Sequence, residues 1–154
     1  MPGPLVRALI AHVESSFEGP NGDYPSIREA IAGLTAEQAM WRPSPDSNSI
    51  WQIVDHLAAS NEWQIEMLQK GQAESPAWIE PPGDEESWEA LMARLKESHT
   101  RLTSALGKLS DEELLKYPVP ELHRTLLELI LSSGSAHEAH HGGQISYLRG
   151  LQGR

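Results

Sequence analysis

Apolar residues along this chain recur at steps of three and four and nowhere alternate convincingly, so the chain can bury a continuous face only as helix. The cleanest stretch opens at Asp84 or Ser87 and runs to about Leu109: Trp88, Met92, Leu95, Leu102 and Leu106 share one stripe, with Lys, Arg and Glu opposite. Residues 4–17 place Leu5, Val6, Leu9, Ile10, Val13 and Phe17 at the same spacing, with Pro4 suited to a first turn. Short turns are predicted over 26–33 and 35–41, the second opening on Thr35 with Gln38 three residues on. After the loop RPSPDSNS, a long helix is predicted from about Ser49 to Lys70, closed by Gly71. The Pro-rich ESPAWIEPPGD cannot be regular, Ser110 with Glu113 marks another short turn ended by YPVPEL, and the last helix is predicted as one span from about Thr125 to Leu151. Four long helices with such connections predict an all-α, four-helix-bundle domain over residues 1–154, its topology left open by spacing alone.

Charge and composition narrow the function. There are 22 Asp and Glu against 12 Lys and Arg, a balance that argues against a nucleic-acid backbone and against an anionic membrane as partner. With no Cys there is no disulfide, thiolate ligand or Cys nucleophile. Residues 1–15 lack the basic start and long apolar core of a secretory leader, and no apolar run approaches the roughly 20 residues of a membrane span. The expectation is a soluble, cytoplasmic protein. Five Trp hint at a lined cavity or an oligomer surface.

Three of the seven histidines fall within SAHEAHHGGQISYLR, residues 135–149. At about 100° per residue, His141 lies about 40° from His137. Leu126, Ile130, Gly134, Gln144 and Leu148 fall on that same face of the predicted helix. Two imidazoles at i, i+4 on a buried face form a pair able to bind one metal ion. They also admit the plainer reading of core histidines satisfied by hydrogen bonds. His140 lies at the flank and reads as a neighbour. A third ligand must come from another helix: His56 is the best candidate, sharing a face with Ile53, Ser60, Trp63 and Met67, and His99 is its rival. His12 reads as an edge residue and His123 as a solvated loop residue. Glu138, one residue beyond His137, points about 100° away, so the Glu-x-x-His motif of a di-iron site is absent. No Gly-rich phosphate loop and no G-x-S-x-G elbow is present.

WRPSPDSNSIWQIVDHLAASNEW followed far downstream by HEAHHGGQISYLR resembles the DinB/YfiT-like superfamily of metalloenzymes, and the likeness covers nearly the whole chain. The resemblance implies an up-down-down-up four-helix bundle, often dimeric. It also implies a divalent metal, zinc or nickel, held by three histidines that fall here on His56, His137 and His141. It further implies an enzyme using an external thiol of the bacillithiol, mycothiol or glutathione type as an S-transferase, with a metal-dependent hydrolase as one alternative. A non-catalytic, metal-binding, damage-inducible helical dimer is the other. Trp51, Trp63, Asp23 and Tyr24 are candidates to line the pocket. Gln144 is a candidate partner for a metal ligand. Arg149 is a candidate for an acidic substrate group or for a helix C-terminus.

Overall fold

The computed structural model describes residues 1–153, and among these every regular element is helical. In chain order they are α1 (Pro4–Glu18), α2 (Ile27–Ile31), α3 (Ala36–Met40), α4 (Ile50–Lys70), α5 (Glu85–Leu106), α6 (Asp111–Leu114), a 3₁₀ turn (Pro120–Leu122), α7 (Leu126–Ser133) and α8 (Ser135–Leu151). None is long and apolar enough to cross a membrane.

Helix starts follow side-chain capping. Ser49, Thr35 and Ser110 each accept from the backbone N–H three residues on, and the Gln or Glu there reaches back, closing reciprocal boxes. Asp84 caps α5, its carboxylate taking the Ser87 N–H at 2.8 Å. The start of α1 is served from afar: the Asp111 carboxylate of α6 accepts from Leu5 N–H and Val6 N–H at 3.2 and 2.9 Å. This bond ties two elements about a hundred residues apart and supplies an anion to a helix N-terminus.

The last helix is not one span. It breaks at Gly134, whose φ of −100° and ψ of −102° leave the helical region. A Cβ there would lie 2.6 Å from the Ile130 carbonyl oxygen, so the close approach of the backbone to itself requires glycine. Gln64 of α4 covers the break, donating from Nε2 to the Ser133 carbonyl at 3.2 Å.

The core divides into two apolar clusters. One joins Phe17 to α2, α3, the first half of α4, the start of α5 and Ile145 and Leu148 of α8. The other joins α1, Ile65, the end of α5, Leu114 and Ile130. Between them each long helix contributes buried polar side chains: Ser16 from α1, Ser60, Asn61 and Gln64 from α4, Ser98 and His99 from α5, Ser135 and Glu138 from α8. Asn61 donates to Ser98 across this layer at 3.2 Å. On its outer side Arg94 of α5 forks onto Glu62 at 2.9 and 2.7 Å and reaches Asp55 at 2.7 Å. The pairing of α4 with α5 therefore does not rest on apolar contact alone.

Candidate metal centre

α4 runs alongside α8, and the line of contact brings His56 opposite His137 and His141. His56 Nε2 lies 3.1 Å from His137 Nε2, which lies 2.9 Å from His141 Nε2. The three ring planes are nearly perpendicular to one another, at 74°, 78° and 79°. Two of the three rings thus each bring Nε2 within about 3 Å of His137 Nε2. Among the described residues this is the group of ligand-type side chains close enough to share an ion, with ligand atoms all within 4.8 Å of one another.

The proton inventory of the cluster shows why an ion fits. Each neutral imidazole carries one N–H. That of His141 is assigned by Gln144: Nδ1 lies 2.6 Å from the Gln144 Oε1, which can only accept, so Nδ1–H donates and Nε2 presents a lone pair. His137 Nε2 has at most one hydrogen for two neighbouring nitrogens. The Nδ1 atoms of His56 and His137 are buried without a partner. A single cation satisfies all three Nε2 lone pairs at once. Metal–nitrogen bonds of about 2.0–2.1 Å would space the donors by roughly 2.9–3.4 Å, which matches the separations of His137 Nε2 from its two neighbours.

The electrostatics keep these rings in the ligating form. Burial, and then the neighbouring His141, His56 and His140, push His137 down to about 4. Burial pushes His141 down to about 4 against the opposing Gln144 bond. Burial also lowers His56. All three are neutral near pH 7, as metal binding requires.

The other candidates fall elsewhere. His140 is exposed and leans on His141 from outside, ring centres 5.0 Å apart. His99 lies in the polar layer, stacked on Phe17 at 3.9 Å, and is no part of the cluster. His12 and His123 are exposed. Trp51 is a core residue packed on Trp88. Trp63 is half-buried, its indole N–H without a partner. Asp23 and Tyr24 line a separate surface recess with Pro20 and Glu29. Arg149 pairs with no acid among the described residues; it donates to the carbonyls of Ala30 and Ala32 at 2.7 and 3.0 Å, closing the C-terminus of α2.

Two residues of the site are not singled out by periodicity. Trp78, from the Pro-rich loop after α4, stacks on His56 with ring centres 4.4 Å apart and planes at 15°. That loop is held over α4 by Gln52, which donates to the Ile79 carbonyl at 2.9 Å, and by Arg42, which pairs with Glu80. The signal available in sequence is one aromatic residue inside ESPAWIEPPGD. The other is Glu138, which is buried and bonded to the Ser16 hydroxyl of α1. Burial drives its carboxyl up to about 7. Ser16 Oγ also lies 3.0 Å from the Val13 carbonyl, and the Ser16 bond opposes the effect of burial on Glu138.

A sequence model of the DinB superfamily matches residues 24–145 of the 154. The chain belongs to the DinB superfamily. The matched stretch includes all three histidines of the cluster. No curated protein and no solved structure matches the chain.

Proposed function

We propose that this DinB-superfamily protein is a divalent-metal-dependent enzyme whose ion is held by Nε2 of His56, His137 and His141. The observation that carries the reading is the convergence of three neutral imidazole nitrogens, one with its lone pair assigned by Gln144. Three protein ligands leave coordination positions for an exogenous ligand, the arrangement of a catalytic rather than a closed structural centre. When bound, the metal supplies Lewis acidity, lowering the pKa of a ligated thiol or water. The protein's part is to orient: Gln144 sets the His141 ring, and Trp78 covers the face of His56. Within this class we favour zinc or nickel and a thiol-dependent transferase. The favoured setting is an up-down-down-up four-helix bundle, working as a cytoplasmic homodimer, with α7 and α8 together forming the fourth arm. Support for these finer points comes from the sequence resemblance.

The reading is tested by loading untagged protein with cobalt(II) and titrating it with glutathione and then with acetohydroxamate. A thiolate-to-cobalt charge-transfer band that is absent from His137→Ala is the expected result. Cobalt bands that respond to the hydroxamate and to no thiol would replace the transferase reading with a hydrolytic one. Cobalt bound without response to either would remove the open coordination position.

A further inference from the structure

A cleft of about 320 Å³ lies between α4 and α8 and is lined by Gln144, the residue that bonds His141. Its position follows from the helices. Ile53 lies one turn before His56 on α4, and Gln144 and Leu148 lie one and two turns beyond His141 on α8. The cleft therefore continues the α4–α8 groove that holds the histidines, and Gln144 belongs to both: its amide oxygen takes the His141 N–H, and its side chain lines the cleft.

The lining has a definite chemistry. Ile53 and Leu148 are buried and form an apolar base, while Pro43 and the ring of Tyr147 stand exposed at the sides. Tyr147 is 69% exposed, an aromatic face with little of its own to pack on. Asn48 and Ser47 add neutral polar groups. Among the described residues no charged side chain lines the space, although the chain as a whole carries a formal charge of −10. A charged ligand group would find no partner here, whereas an apolar one would gain from leaving water. The volume lies near the lower end of the roughly 300–1,000 Å³ of ligand pockets, and an apolar cavity of about 150 Å³ is enough for benzene. Trp78, stacked on His56, adds a second exposed aromatic face at the histidine cluster.

We infer that this cleft seats an uncharged apolar group, about the size of one aromatic ring, carried by the ligand bound at the three-histidine centre. The inference rests on the metal reading above and adds the substrate class: a metal-ligating head joined to a compact apolar or aryl body. Asn48 and Tyr147 are then specificity residues that touch the body and leave the metal untouched.

The test compares imidazole with 4-phenylimidazole as ligands of cobalt-loaded protein, followed by the cobalt bands. In the wild type the phenyl group is expected to tighten binding roughly ten- to hundredfold. Asn48→Trp, which fills the cleft from an exposed position, and Tyr147→Ala, which removes a wall, are each expected to reduce that preference at least severalfold. Neither should change the cobalt content or the affinity for imidazole. Equal affinities in the wild type, or a preference that survives both variants, would overturn the cleft assignment while leaving the metal centre in place. Protein that takes up no cobalt would overturn the metal reading and this inference together.

Discussion

Of the three clustered histidines, His141 is the one whose hydrogen the protein assigns, through a 2.6 Å bond to Gln144. Partners of this kind are typically worth about 10–100-fold in metal affinity. Gln144→Leu should therefore weaken zinc binding by a factor of that order, and Gln144→Glu, which keeps the acceptor, should restore it. Competition against a chromogenic chelator measures both, and equal affinities for Leu and Glu would show that the bond does not matter. His99 provides a separate check on burial. It is buried against Phe17 with Nδ1 unpartnered, and burial holds it down to about 4 from an ordinary 6.5. A depressed folded-state value means that stability present above pH 6.5 is lost as the pH falls towards 4. At most about 3 kcal/mol is involved. His99→Phe should flatten that part of the urea stability profile between pH 7 and 4, and an unchanged slope would contradict the assignment. Glu138 works in the opposite direction, since its raised value favours the fold at low pH and costs stability as the pH rises through about 7.

At the scale of the helix, α8 shows how far pattern can be read. The apolar stripes of α1, α4 and α5 and the caps at Ser49, Thr35, Asp84 and Ser110 are local signals, and the structure has them where the spacing places them. α8 offers few apolar residues before Ile145, so in sequence its face takes its phase from Leu126 and Ile130 across Gly134. The break at Gly134 cuts that phase. The buried side of α8 is Ser135, Glu138, His141, Gly142, Ile145 and Leu148, with His137 at its edge and Gln144 exposed. Glu138, about 100° from His137, is thus inside, where its charge alone would not place it. Gly142 sits where a Cβ would lie 3.2 Å from the Pro25 carbonyl, letting α8 close on the loop before α2. Long-range partners such as Asp111 at the start of α1 and Trp78 over His56 leave no local trace. The break itself is testable. Gly134→Ala should lower stability by about 1–3 kcal/mol in urea, because the new methyl meets the Ile130 carbonyl. A gain of about 1 kcal/mol, the helix-propensity benefit of Ala, would mean that α7 and α8 form one continuous helix.

Across the whole molecule, two apolar clusters supply the burial that holds the helices, and the polar layer between them runs through every long helix. α8 spans this arrangement: Ile145 and Leu148 anchor it in one cluster, while Ser135 and Glu138 lie at the layer. The Arg94 bridge to Asp55 and Glu62 braces α4 on both sides of His56. The bridge holds the α4 arm that carries His56 against α5, and a fixed arm favours metal binding by limiting the reorganisation it demands. The most direct measurement is the metal content of untagged protein by mass spectrometry, for the wild type, His56→Ala, His141→Ala and His140→Ala. About one divalent ion per chain is expected in the wild type and in His140→Ala, and none in the other two. A wild type that takes up no zinc, nickel or manganese, or a His141→Ala protein that keeps its full complement, would contradict this expectation.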